Sequence, residues 1–179
     1  MVDNTTEQST KELIDSLKQS CGSFGLGNDG NEYKIIVQVF LYKYFNDKFG
    51  HEAKKAPIYG ERLRVADKWD AAYDKFSDDE VDDLFTYLPP SCPKLKPHQT
   101  IAHLYNAMTQ GDFAALFDST LNEISLLNTD IFSIATDSKT KITVFDATLI
   151  KSTINDPTKR DEFARSLMRR IADPKANFE

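Results

Sequence analysis

The chain of 179 residues has no apolar run long enough to span a bilayer, which excludes an integral helical membrane protein. Its first residues, Met-Val-Asp-Asn-Thr-Thr-Glu-Gln, lack the basic start and apolar centre of a signal peptide, so a cytoplasmic protein is expected. Cysteine is scarce. Cys21 and Cys92 have no Cys-x-x-Cys partner, which excludes a zinc ribbon or disulfide framework and predicts two free thiols. There is no excess of positive charge either: 22 Lys and Arg stand against 28 Asp and Glu, and the net charge of −6 argues against a histone-like polyanion binder. No repeat of fixed period appears, so a solenoid is not expected. What the chain does have is large apolar side chains: twelve Phe, seven Tyr and one Trp can build a core of one-domain size, spanning residues 1–179.

Apolar periodicity near 3.6 predicts a mostly α fold, an orthogonal domain of about seven to eight helices. Leu13, Ile14 and Leu17 mark a first helix that Gly22 stops. Tyr33, Ile36, Val37, Phe40, Leu41, Tyr44 and Phe45 form the clearest stripe and predict a helix over 31–49 with that stripe in the core. One acidic amphipathic helix is expected over 61–76, with Val65, Trp69, Ala72, Tyr73 and Phe76 inward. Ser77 and Glu80 have capping-box spacing before a helix that ends at Pro89-Pro90. Residues 89–97 read as a rigid connector. Ile101 to Met108 and Phe113 to Leu127 give two more helices, with Asp112 as N-cap of the second. A short β-hairpin is expected near 131–145, then a short helix capped by Asp146, and a last helix opened by Asp156-Pro157.

Motifs with chemical potential fail their context tests. Gly25-x-Gly27-x-x-Gly30 matches the dinucleotide fingerprint, but a helix precedes it where a buried strand is required. Asp78 to Asp83 is rich in carboxylates, yet its sixth position is Asp83 where a calcium loop needs Gly; the charges suit the first turn of a helix. His98 and His103 are five apart and do not share a helical face, unlike zinc ligands at i, i+4. Neither cysteine has a recognisable catalytic partner.

Charge distribution is more informative. Residues 151–179 carry a net +2 while the rest carry a net −8. Arg165 and Arg169 are expected on one outward face of the last helix, flanked by Lys159, Arg160 and Arg170. These five are the candidate contacts to DNA phosphates or to a neighbouring subunit, and the alternative is a solvated face beside the C-terminal helix dipole.

One segment carries a family resemblance. Glu32, Tyr33 and Lys34, followed by Leu41, Lys43, Tyr44, Asn46 and Asp47, resemble the opening of the modification (M) subunit of type I restriction-modification systems. Asp156-Pro157 and Lys159-Arg160-Asp161 resemble the helix leading toward that family's methyltransferase domain. The resemblance implies the N-terminal helical domain of an adenine-specific N6 DNA methyltransferase that uses S-adenosylmethionine. Its implied partners are DNA, the specificity subunit, the restriction subunit and the catalytic domain of the same protein. No catalytic residue is assigned: Pro89-Pro90 lacks the preceding amide and following aromatic that grip a flipped base. The ending Asn177-Phe-Glu179 reads as a cut from a longer protein. The competing expectation is a free-standing interaction module whose partner surface is the acidic stretch from 61 to 83.

Overall fold

Side chains from one helix that satisfy the open ends of another hold this fold in register. The computed structural model describes residues 4–132, 134–135 and 141–175. It is mostly helical, with ten α-helices and a 3₁₀ turn at Pro97–Gln99 among the described residues.

Helix α1 (Asn4–Ser23) buries Leu13, Leu17 and Cys21, one every fourth residue. Gly25 adopts φ +80°, which reverses the chain cheaply because glycine has no Cβ. Asp29 then accepts a hydrogen bond from the Asn31 amide and starts α2 (Gly30–Ala53). Its core face is Ile35, Val39, Tyr42, Phe45, Phe49 and Ala53, all at 0% exposure. Of the stripe expected to be core, Phe45 lies on this face, whereas Tyr33 is 74%, Val37 42% and Tyr44 44% exposed. Phe40, Ile36 and Leu41 are half-buried.

The helix expected over 61–76 is two helices, α3 (Gly60–Arg64) and α4 (Trp69–Tyr73). The break has steric causes at both ends. Gly60 packs so closely on the end of α2 that a Cβ would lie 2.4 Å from the Lys54 carbonyl oxygen. Arg64 donates to the same carbonyl at 2.7 Å. Trp69 lies over Gly50, where a Cβ would come within 2.5 Å of its ring, and stacks obliquely with Phe49 at 5.9 Å. Extended backbone at Lys68 reorients the chain between these contacts and leaves Val65 76% exposed, outside the face expected for it.

Helix α5 (Asp78–Tyr87) has the full capping box between Ser77 and Glu80. The proline-rich connector that follows is pinned by Tyr73, whose hydroxyl donates to the Leu95 carbonyl at 2.6 Å. Asn128 clamps it too, accepting from the Lys94 amide at 2.7 Å and donating to its carbonyl at 2.8 Å. Thr100 caps α6 (Ile101–Asn106). Helix α7 (Phe113–Leu127) runs through the core with Phe113, Phe117, Leu121 and Ile124 fully buried. A further turn, α8 (Thr129–Phe132), continues from its C-cap.

That turn corrects the hairpin expectation, because Ile131 and Phe132 are helical. Among the described residues a two-residue antiparallel pairing forms, with Ile134 opposite Ile142 and Ala135 opposite Lys141. The expected turn at residues 136–140 lies outside the described residues. Helices α9 (Leu149–Thr153) and α10 (Pro157–Ile171) complete the chain, the latter with Asp156 accepting from the Thr158 amide and Pro157 at its first position.

Two of the expected caps are supplied from elsewhere. Asp112 has a left-handed backbone (φ 55°) and makes no side-chain cap; the Ala114 amide is instead held by Asp161 of α10 at 2.9 Å. Asp146 holds Thr148, but the first amides of α9, from Ile150 and Lys151, donate to the buried carboxylate of Asp118 at 2.8 and 3.1 Å. Negative charge suits both helix N-termini.

Candidate interaction surface

The five cations singled out on α10 divide by what they touch. Arg165 turns inward: its Nε donates to the Met108 carbonyl at 2.6 Å, and one terminal nitrogen to the Gln110 carbonyl at 3.0 Å and to Asp161 at 3.3 Å. The guanidinium lies 5.9 Å over the Phe113 ring. Asp161 and Arg165, one turn apart, therefore bracket the α6–α7 connection, the arginine on its carbonyls and the aspartate on its amide. Arg160 caps the end of α9 through the carbonyls of Ile154 at 2.8 Å and Asn155 at 3.4 Å. Arg170 reaches α1, donating to Ser20 at 3.3 Å and Gln19 at 3.4 Å. Lys159 is exposed 3.9 Å from Asp156, and Arg169 is exposed with no ion pair to a described residue. Three of the five thus join helices, and the outward face of α10 combines Lys159 and Arg169 with Glu162.

The other sequence motifs are absorbed by local structure. In the glycine-rich loop, the amides of Phe24, Gly25, Leu26 and Asp29 bond to nearby carbonyls, and the Asn28 amide donates to the Glu32 carboxylate. A phosphate cradle needs such amides open. In the acidic stretch, Glu80 pairs with Arg62 at 2.7 Å and Asp83 accepts from Tyr59 at 2.8 Å, raising that phenol to about 12 through the hydrogen bond to the carboxylate. His103 contacts Asp74 at 2.7 Å and His98 contacts Glu123 at 2.9 Å, on separate parts of the surface. No cluster of potential metal ligands occurs among the described residues. Cys21 and Cys92 are fully buried, and loss of hydration on burial pushes both thiols up to about 11. A shallow depression of about 90 Å³ between α1 and the end of α10 is lined by Ser9, Glu12, Ser16, Arg170, Asp173 and Lys175. It is well below the few hundred cubic ångströms of a typical small-molecule pocket.

Helix α2 is different because it is apolar on both sides. The residues carrying the family resemblance separate between them. Lys43, Asn46 and Asp47 are buried polar groups: the Lys43 ammonium and the Asn46 amide both donate to Asp47, at 3.0 and 3.1 Å. The Asn46 carbonyl oxygen accepts from the Ile101 amide at 2.9 Å, which fixes the start of α6. Beside them Tyr42 donates to the Gln99 carbonyl at 2.7 Å. Lys34 pairs with Asp146 on the helix flank and, by its hydrogen bond, holds that carboxyl below its ordinary range. Tyr33 and Tyr44, by contrast, stand on the outer face with Val37 and the half-buried Phe40. At 100° per residue these four fall within about 60° of arc, opposite the core face.

Of the apolar stripe the sequence presents, Tyr33, Val37 and Tyr44 face outward, Ile36, Phe40 and Leu41 pack against the core and Phe45 lies within it. No helix of the described residues is long and apolar enough to cross a membrane. Compared with known protein families, curated proteins and solved structures, the chain matches none.

Proposed function

We propose that the chain is a helical assembly domain of a type I adenine-specific N6 DNA methyltransferase. In this role it performs no chemistry itself and seats the catalytic domain against the specificity and restriction subunits around DNA. S-adenosylmethionine belongs to the catalytic domain in this reading. In this reading the helices form an orthogonal array.

The observation that carries the assembly role is the outer face of α2, where Tyr33, Val37 and Tyr44 are exposed on a helix whose opposite face already fills the core. Three exposed apolar side chains on one helix face form a small patch that supports a contact role in this reading. The Glu-Tyr-Lys and Lys-Tyr-x-Asn-Asp resemblance supports the identity of the parent enzyme. Arg169 and Lys159 remain available for phosphates in the assembled enzyme, where they position DNA without reading bases.

Adenine methylation by the full methyltransferase with its specificity subunit tests the role. Tyr33→Ser with Tyr44→Ser is expected to lower methylation at limiting specificity subunit and to recover it when that subunit is in excess. Wild-type methylation at limiting subunit would overturn the proposal.

A further inference from the structure

Charge in this chain is concentrated in two neighbouring stretches of opposite sign. Residues 48–64 carry five Lys and Arg against two Glu, and residues 67–83 carry eight Asp and Glu against two Lys. The fold lays the two side by side: Arg62 of α3 pairs with Glu80 of α5 at 2.7 Å, and Tyr59 donates to Asp83 at 2.8 Å. Beyond that seam the signs separate. Arg64, on the far flank of α3, donates to the Lys54 carbonyl at the end of α2, beside Lys55. Asp79 and Asp82 are exposed on α5, and none of Arg64, Asp79 and Asp82 forms an ion pair with a described residue. Apolar side chains are exposed on and beside the same two helices: Ile58 before α3, Val65 at its end and Tyr87 in the last turn of α5.

Independently of the assembly role above, we infer that this surface is self-complementary and pairs two copies of the chain about a twofold axis through the Arg62–Glu80 seam. The axis lays the cationic flank of α3 in each copy over the acidic flank of α5 in the other. A twofold interface uses one patch twice, so both signs must sit beside each other on it. Charge decides the occupant. A polyanion would suit α3 alone and meet the carboxylates of α5, and a basic partner would suit α5 alone and meet Arg62 and Arg64. A second copy matches both halves. Val65 lies about 200° round α3 from the buried Leu63, so the two copies cover each other's valine near the axis. Area sets the strength. Helix α5 is about 15 Å long and packed helices stand about 8–10 Å apart, which gives a footprint on the order of 300 Å² per copy. That falls short of the roughly 800 Å² per partner of a stable interface, so the dimer is weak, reversible and held largely by charge.

Sedimentation equilibrium of the 179-residue chain at neutral pH tests this. A dimer with Kd on the order of 0.1 mM is expected at about 0.1 M salt, weakening about tenfold or more at about 1 M, where the Debye length is about 3 Å against about 10 Å. Lys55→Glu with Arg64→Glu makes both flanks acidic, and Asp79→Lys with Asp82→Lys makes both basic; each variant alone is expected to be monomeric. Mixed in equal amounts they are expected to form a heterodimer, because each flank then meets its opposite again. Should Arg64→Glu unfold the chain, Val65→Asp is expected to abolish pairing at a residue that is 76% exposed and outside the core. A wild type that stays monomeric up to about 1 mM, a dimer indifferent to salt, or a mixture that stays monomeric would each overturn the inference. So would a dimer lost in Tyr33→Ser with Tyr44→Ser but kept in the charge variants, which would move the contact to α2. None of the first three results bears on the assembly role, which is read from affinity for a specificity subunit.

Discussion

Replacing Arg165 separates a structural cation from a DNA-facing one. Arg165→Ala removes charge-assisted hydrogen bonds to the Met108 and Gln110 carbonyls, the 3.3 Å pair with Asp161 and the contact over Phe113. A hydrogen bond to a charged group contributes about 1.5–3 kcal/mol when shielded. The side chain is 27% exposed, so solvent screening reduces each contribution, and the sum comes to about 2–3 kcal/mol. Urea unfolding of the isolated chain measures it directly as a shift in midpoint at constant slope. Arg165→Lys is expected to lose most of the same stability, because an ammonium cannot present the planar fork that reaches two carbonyls and a carboxylate together. Arg169→Ala is expected to stay within about 0.5 kcal/mol of wild type. Under the proposed DNA methyltransferase role, removing Arg169 should make the salt slope of DNA binding shallower by about 0.9, and adding Arg165→Ala should not bring the loss to nearly two units. Arg165→Ala unfolding at the wild-type midpoint, with Lys restoring DNA binding, would refute the clamp and return the residue to an outward phosphate-facing role.

Phe45→Ala and Phe49→Ala, at fully buried positions on α2, should each cost about 3–5 kcal/mol in thermal or urea unfolding. Phe40→Ala, on the half-buried flank, should cost clearly less. The Lys34–Asp146 pair depresses the folded Asp146 pKa, so its contribution is present above the unfolded aspartate pKa of about 3.9 and is lost as pH falls through the lower folded value. Lys34→Ala should flatten that acid limb by less than about 1 kcal/mol, since the pair is partly solvated. Asp118 acts in the opposite sense: desolvation raises its folded pKa, so its protonation favours the folded state and this contribution fades as pH rises through the raised value. Asp118→Asn should remove it from the stability profile. Ellman's reagent at pH 8 should find no reactive thiol in the folded chain and two after unfolding. Calorimetry should detect no S-adenosylmethionine binding tighter than millimolar, because the glycine-rich loop has already committed the amides described above.

Local signals were legible in the sequence and inter-helical ones were not. The Ser77–Glu80 capping box, the stop at Pro89-Pro90 and the Asp156-Pro157 start depend on residues within one turn of each other. The facing of α2 depends on everything packed around it. With apolar residues on both sides, periodicity identifies the helix but cannot choose between Ile35, Val39, Tyr42 and Phe45 and the rival set of Tyr33, Val37, Phe40 and Tyr44. The signal that could have chosen was polar: Asn46 lies on the core side, where it accepts from the Ile101 amide at the start of α6 and donates to Asp47. The break between α3 and α4 arises from Trp69 meeting Gly50, a contact across many residues. The cations of α10 were correctly placed on one helix. Their partners are carbonyls on other helices, and those partners do not show in composition or charge.

The assembly role proposed for the outer face of α2 is most directly tested by the affinity of the proposed methyltransferase for a specificity subunit, measured by titration with wild-type chain and with Tyr33→Ser/Tyr44→Ser. Truncating two aromatic anchors of a real contact should cost at least about 2 kcal/mol, a rise in Kd of some thirtyfold. The isolated variant should still unfold within about 1 kcal/mol of wild type, since neither ring belongs to the core. An unchanged Kd with an unchanged fold would mean that the stripe seats no partner, contradicting the assembly role assigned to it.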